Sequence, residues 1–176
     1  MTSVLETIKF RRSCRVFKAT AVEEEKIEQL TKAALWSPSS KNSRPWEFVW
    51  VSDRALLDQL AACKPHGAEL IKSAPLALVI FAHPDKSDVW VEDCSVAATM
   101  VQLVAQDLGL GSCWVQVHKR DKSETQSASD YCKELLNAPS SLETAYIIAI
   151  GYKERDRNGY TDEQLLNERV HKNKFV

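Results

Sequence analysis

The residues Leu76–Ala82 form an uninterrupted apolar run, and Pro75 stands directly before it. The run has the length of a strand, and the lack of polar alternation is typical of a strand that is covered on both faces. We therefore expect a sheet that lies inside the protein. The chain has 176 residues and is 44% hydrophobic, which is enough for a core in one domain, and we assign residues 1–176 to a single domain.

Helical and strand patterns mingle along the rest of the chain without a strict βαβ repeat. Helix starts are indicated at the N-terminus, at a Thr20–Glu23 capping box and at a Ser52-Asp53 cap. A polar tail follows from 152 to 176. This order predicts a mixed α+β fold. The further expected elements are strands at 48–51 and 146–151, a strand or extended segment at 113–117, a helix that stops at Pro38 and a polar helix that ends near Asn137.

A long helix is predicted from Asp88 to Leu108, with Gly109 at the position that ends it. Apolar residues cover most of its circumference instead of a single stripe. Two interpretations remain open at this point. The helix either packs within the core of one chain or lies at the centre of a homodimer.

Residues 37–48 join a helix to a strand and read SPSSKNSRPWEF. Ser and Asn offer hydrogen-bond donors and acceptors on short side chains. The two prolines restrict the backbone, so less conformational entropy is lost when a ligand binds. This composition is typical of a loop that binds a polar ligand.

Three arginines, Arg11, Arg12 and Arg15, lie within five residues beside Ser13 at the end of the first helix. Planar guanidinium groups next to a hydroxyl suit a phosphate, which they can bind bidentately. The same residues also fit a solvated surface or a complement to the helix dipole. A second basic cluster runs from Arg169 to Lys174.

The arginine segment and the loop, in this order, resemble the start of the nitroreductase family of FMN-dependent oxidoreductases. The resemblance extends to the long helix and the Gly109-Leu110-Gly111 turn, and so covers most of the chain. It implies a three-layer α/β/α fold with a mixed, mostly antiparallel central sheet, and a homodimer with FMN at the subunit interface. A Rossmann interpretation of the glycines is rejected, because they follow a helix and precede a strand, and the third glycine is missing.

The resemblance also implies which residues bind FMN. The arginine segment and Arg169 would bind its phosphate and ribityl chain, the loop would hold the flavin ring, and the strand with Gln116 would pass near flavin N5. The implied cofactor-binding residues are Arg11, Arg12, Ser13, Arg15, Pro38, Ser39, Ser40, Asn42, Gln116 and Arg169.

The implied reaction is a ping-pong cycle in which NADH or NADPH passes hydride to flavin N5, and a nitroaromatic, a quinone or a similar small acceptor then takes its place. Because the flavin carries the hydride, no side chain is assigned as catalytic. Arg15 is the candidate cation that stabilises the negative charge of the reduced flavin. The alternative is a flavin-binding module or flavin-modifying protein without nitroreductase turnover.

Charge and composition argue against several other classes of protein. A formal net charge of -1 gives no general basis for binding nucleic acid or an anionic membrane. The five cysteines and four histidines show no ligand or triad spacing, so we expect reduced thiols and no metal site. The N-terminus carries no apolar targeting segment, and a soluble cytoplasmic protein is expected.

Overall fold

The computed structural model describes residues 3–175, so Val176 at the end of the predicted tail lies outside the described residues. The chain folds into helices and strands in a mixed order, as predicted. The helices are α1 Val4–Phe10, α2 Glu24–Leu35, α3 Arg54–Leu60, α4 Trp90–Asp107 and α5 Ala128–Leu135, and the strands are β1 Trp46–Val51, β2 Leu76–Ala82, β3 Leu110–Gln116 and β4 Glu143–Tyr152.

The four strands form one sheet in the order β1-β2-β4-β3, and every neighbouring pair is antiparallel. Every residue of β2 is buried, which confirms the expectation from its unbroken apolar sequence. The parallel part of the sheet is a single bridge between Ser13 and Ser112, at the outer edge of β3. The sheet is therefore mostly antiparallel, with its mixed character confined to that edge.

Helices cover both faces of the sheet and produce three layers. On one face, residues of α2 and α4 pack on alternate residues of the strands, such as Leu78 and Ile148. On the other face, α3, α5 and the 3-10 turn Glu69–Ser73 pack on the intervening residues, such as Val79 and Ile147. This three-layer arrangement confirms the predicted fold class.

The predicted capping box at Thr20 is wrong, because α2 begins three residues later, with Glu23 as its N-cap. The Glu23 side chain makes no capping hydrogen bond. Its carboxylate instead accepts a hydrogen bond of 2.7 Å from the Tyr152 hydroxyl at the end of β4. The Glu23 side chain, which the capping box would have used at the start of the helix, therefore contacts a residue that is distant in sequence.

The predicted long helix corresponds to α4, which is followed by Gly109 at a φ of 76°. Only glycine adopts this left-handed conformation without strain, which explains why the helix ends there. The face of α4 that packs on the sheet is buried. Its outward face carries Val96, Met100 and Leu103 at helical spacing, and Val96 and Met100 are exposed.

The chain beyond β4 extends as a mostly exposed tail with two short 3-10 turns, Asp162–Gln164 and Asn167–Arg169. Within residues 3–175, no helix is both long enough and apolar enough to cross a membrane.

Candidate functional site

The end of α1 delivers the arginine segment to the outer edge of β3. Arg11 is the C-cap of α1, and its backbone N–H donates to the Thr7 carbonyl at 2.8 Å. Beyond the cap the chain is extended, Ser13 bridges Ser112, and the Cys14 N–H donates to the Ser112 carbonyl at 2.9 Å. The segment therefore covers the first half of β3 and leaves the second half open.

Two cavities flank this segment and share Trp114 as a common wall. Arg11 and Ser13 line a cavity of about 460 Å³ together with Gln102 of α4. Arg15 lines an adjoining cavity of about 660 Å³. Three of the predicted residues are thus placed around one continuous surface.

The cavity of Arg15 includes residues that the sequence did not assign. Glu69 and Lys72, in the 3-10 turn before β2, line it together with Gly67. Hydrogen bonds from the backbone amides of Glu69 itself and of Gly67 lower the pKa of the Glu69 carboxyl, so it remains ionised. The sequence signal is weak, because charged residues beside apolar ones are common in surface turns.

Trp114 is held rigidly in its position between the two cavities. Its ring packs on Tyr146 with the centroids 4.0 Å apart, and its Nε1–H donates to Gln116 Oε1 at 3.2 Å. The Gln116 Nε2 in turn donates to the His118 carbonyl at 2.9 Å. The side-chain amide of Gln116 is therefore already hydrogen-bonded within the protein.

The backbone of Gln116 is better placed than its side chain to meet a ligand. The Ser112 carbonyl bonds to Cys14, so the backbone of Ser112 faces away from β4. Alternate residues of an antiparallel strand direct their N–H and C=O groups to the same edge. The backbone groups of Trp114 and Gln116 thus face the same outer edge, where they can bond to a ligand.

The loop of residues 37–44 adopts a strained conformation that its own side chains stabilise. Lys41, Asn42 and Arg44 have φ values of 51°, 54° and 45°, and such non-glycine residues in the left-handed region cost about 1–3 kcal/mol each. The Ser39 Oγ accepts a hydrogen bond from the Arg44 N–H at 2.9 Å. The Asn42 Oδ1 accepts another from Arg44 Nε at 2.9 Å.

A buried carboxylate that the sequence did not single out anchors this loop. Asp93, in the first turn of α4, is 5% exposed. Its Oδ1 accepts a hydrogen bond from the Ser40 N–H at 2.7 Å, and its Oδ2 accepts one from the Ser87 hydroxyl at 2.8 Å. An acidic residue in the first turn of a mostly apolar helix was the available signal, but it usually marks only a favourable interaction with the helix dipole.

Ser43 places a buried hydroxyl oxygen in the same loop. Among the described residues, its Oγ has no hydrogen-bond partner. Buried polar groups are nearly always paired, so an unpaired one indicates a place where a ligand or a water contributes a partner. Pro38, at the start of the loop, lines an apolar groove of about 380 Å³ between α1, the end of α2, and α4.

Two predicted phosphate contacts lie away from these cavities. The Arg12 guanidinium donates to the Asn158 carbonyl at 2.9 Å and lies 4.4 Å from the centroid of the Tyr160 ring, so it holds the tail. Arg169 is exposed in the tail, with its Nε 4.0 Å from Glu168 Oε1. Their roles in binding phosphate stay predictions.

The loop and the arginine segment meet α4 at different points. Asp93 holds the loop, whereas Gln102 lines the cavity of Arg11 and Ser13. Nine residues of helix separate these two contacts, or about 14 Å along the axis. Within residues 3–175, no cluster of histidine, cysteine and acidic residues could hold a metal ion.

The sequence matches a known family over most of its length. Residues 8–152 match the profile of the Nitroreductase family. The chain belongs to the nitroreductase family. The match spans the arginine segment, the loop, α4 and all four strands, so the resemblance seen in the sequence is confirmed.

Solved structures and a sequence relative agree with this assignment. A structure described as an FMN-dependent nitroreductase from Clostridium difficile R20291 is 44% identical, has a TM-score of 0.95, and aligns over 97% of this chain and 99% of its own. A structure from Parabacteroides distasonis, named for NADH dehydrogenase/NAD(P)H nitroreductase, is 31% identical, has a TM-score of 0.88 and aligns over 99% of each chain. A protein of Archaeoglobus fulgidus with the same name is 33% identical over 99% of this chain and 100% of its own.

Proposed function

We propose that this nitroreductase-family chain is an FMN-dependent oxidoreductase that transfers electrons from NADH or NADPH to a nitroaromatic, a quinone or a similar small acceptor. The placement of Arg11, Ser13 and Arg15 around the open edge of β3 carries the proposal. The names of the Clostridium difficile and Archaeoglobus fulgidus proteins support the cofactor and the reductant. The five free cysteines suit a reducing cytoplasm, where we expect the protein to act.

The donors on this surface fit the groups of FMN in kind. The Arg11 guanidinium and the Ser13 hydroxyl can hold a phosphate and a sugar hydroxyl chain. The backbone N–H of Gln116 at the open edge can donate to a ring nitrogen, and Trp114 offers a flat apolar wall. These residues would hold FMN, which supplies hydride transfer when it is bound.

Arg15 is the residue that we propose to act electrostatically. Its cation lies near Cys113, where burial raises the thiol pKa and the charge of Arg15 opposes that rise. A fixed positive charge beside the ring stabilises negative charge that develops there, and it needs no rearrangement to do so. Trp114 lines the same cavity as Arg15 and packs on Tyr146.

The site is proposed to be completed by a second copy of the chain. Large apolar side chains are exposed on α1, at the end of α2 and on α4, and together we call them the apolar patch: Val4, Leu5, Ile8, Trp36, Val96 and Met100. Trp36 is 80% exposed and Leu5 is 76% exposed. Val4, Trp36 and Met100 line one groove, and exposed apolar surface of this kind marks an interaction site.

A twofold dimer through the apolar patch would join the two separated motifs. Trp36 directly precedes the loop, and Ile8 lies one turn before the arginine segment. In an isologous interface each patch contacts its equivalent, so the loop of one chain approaches the arginines of the other. The exposed Val96 and Met100 favour the dimer interpretation of α4, and we propose a homodimer with FMN at the interface.

Reconstitution tests the cofactor directly. Protein stripped of ligand is titrated with FMN while flavin fluorescence is recorded. We expect one FMN per chain and tight binding, whereas riboflavin, which lacks the phosphate, binds more weakly. A protein that binds neither flavin would overturn the proposal. Parallel lines in double-reciprocal plots with NADPH and a quinone are the result expected for a ping-pong order.

A further inference from the structure

The cavity that Arg15 lines contains one acidic side chain, that of Glu69. The cavity has a volume of about 660 Å³, and its other charged residues are Arg15 and Lys72. Trp114 forms its wall beside the open edge of β3, where the flavin ring is proposed to bind. An anion therefore lies in the same cavity as the cation that is proposed to stabilise the reduced ring.

A short turn holds the carboxylate of Glu69 in place. Glu69 is the first residue of the 3-10 turn Glu69–Ser73. Its Oε2 accepts a hydrogen bond of 2.7 Å from the N–H of Gly67, which has a φ of 80° and also lines the cavity. This contact fixes the carboxylate where the loop and the turn meet at the side of the cavity.

The negative charge of Glu69 is not neutralised by an ion pair. Among residues 3–175, no lysine, arginine or histidine forms an ion pair with its carboxylate. Glu69 is exposed, so solvent screens its charge while the cavity is open. A ligand that fills the cavity displaces part of this solvent, and charges interact more strongly where water is excluded.

Reduction changes the charge of a flavin, so fixed charges beside the ring affect its reduction potential. Hydride transfer from a nicotinamide adds two electrons and one proton to the flavin. The flavin thereby gains one negative charge, and the oxidised nicotinamide leaves with one positive charge more. The Arg15 guanidinium attracts the new negative charge, whereas the Glu69 carboxylate repels it.

We propose that Glu69 lowers the reduction potential of the bound flavin and so makes it a stronger electron donor to the acceptor. This inference rests on the proposed function and deepens it, because it assigns opposite effects to two residues of one cavity. Arg15 favours the entry of electrons from NADH or NADPH. Glu69 favours their transfer to the acceptor.

The midpoint potential of the FMN-loaded protein tests the proposal without turnover. It is measured at pH 8 by equilibrium reduction in the presence of a reference dye. Glu69→Gln removes the charge and keeps an oxygen that can accept from the Gly67 N–H. We expect its affinity for reduced FMN, relative to oxidised FMN, to rise at least about tenfold. This change corresponds to a potential about 30 mV more positive for a two-electron couple.

Two further variants of Glu69 separate its charge from its hydrogen bond. Glu69→Asp keeps the charge, so the affinity ratio should change by less than about twofold. Glu69→Ala removes the charge and the bond to Gly67, and its potential should match that of Glu69→Gln. A shift in Glu69→Ala alone would assign the effect to the hydrogen bond and contradict the proposal. Glu25→Gln, at an exposed position of α2, is the control and should keep the wild-type potential.

The two half-reactions give a second readout, which a purely structural role would not produce. In stopped-flow experiments, Glu69→Gln should be reduced by NADPH about threefold faster and reoxidised by menadione about threefold more slowly. These values apply if half of the change in driving force appears in each barrier. A similar loss of both rates, or an unchanged potential, would overturn this inference and leave the proposed function in place. A protein that binds no FMN would overturn both.

Discussion

The carboxylate of Asp93 accepts a hydrogen bond from the backbone N–H of Ser40 at 2.7 Å and ties the loop of residues 37–44 to the first turn of α4. Three residues of this loop have left-handed backbone conformations. A buried anion with two donors is a strong anchor, because hydrogen bonds to charged groups contribute about 1.5–3 kcal/mol each. We infer that Asp93 is a positioning residue for the proposed flavin loop.

The substitution Asp93→Asn should loosen this loop. An amide has one oxygen to accept from Ser40 and Ser87, and its NH2 group would face the other donor. We expect the free energy of unfolding to fall by about 2–3 kcal/mol. The FMN affinity should fall roughly tenfold. Urea unfolding and flavin titration measure the two effects.

The exposed Asp85→Asn change is the matched control for Asp93 and should alter neither quantity. An Asp93→Asn protein that loses stability but keeps its FMN affinity would show that the anchor serves only folding.

The substitution Arg15→Ala, which removes the guanidinium group, should impair reduction of the flavin. Without the fixed charge beside the ring, we expect the rate of flavin reduction by NADPH, or the retention of flavin, to fall on the order of a hundredfold. Stopped-flow absorbance measures the rate. Arg120→Ala, which removes another exposed arginine, should behave as wild type, and unchanged values in Arg15→Ala would disprove its assignment.

Truncation of Gln116 separates its side chain from its backbone. The change Gln116→Ala removes the hydrogen bonds to Trp114 and to the His118 carbonyl, so stability should fall by about 1–2 kcal/mol. If the backbone N–H is the flavin contact, the FMN affinity should change little, by about threefold or less. A loss of flavin binding beyond the loss expected from unfolding would indicate that the side chain itself binds the flavin.

The apolar patch should hold a dimer. The wild type should scatter light as a dimer, whereas Leu5→Glu/Trp36→Glu should be monomeric, because burying two charges in an apolar interface is costly. If each site needs both chains, the variant also binds FMN at least about tenfold more weakly. Thr125→Glu, an exposed position on another part of the surface, should remain dimeric. A stable wild-type monomer with bound FMN would contradict the proposed interface.

Much of the fold could be predicted from the sequence, because local patterns and the core agree. The apolar run of β2 required cover on both faces, and Asp53 caps α3 through a hydrogen bond from the Leu56 N–H, as expected. The predicted start of α2 was wrong. A local motif gives no information on Tyr152, which is distant in sequence and donates a hydrogen bond to the Glu23 carboxylate.

The site was predictable only in part. Arg11, Ser13 and Arg15 could be placed because they follow one another closely at a helix end. Asp93 and Glu69 could not be assigned, because their places at the candidate site depend on contacts that only the packed fold creates. Arg12 also shows this effect, since its contacts with Asn158 and Tyr160 depend on the path of the tail.

The visible absorption spectrum of the purified protein, recorded before and after anaerobic addition of NADH and then NADPH, tests the proposed function most directly. We expect a flavin spectrum that bleaches on addition of the reductant and returns when a quinone is added. A flavin spectrum that neither nucleotide bleaches would favour a flavin-binding module without turnover. A colourless protein that FMN cannot reconstitute would contradict the proposed function.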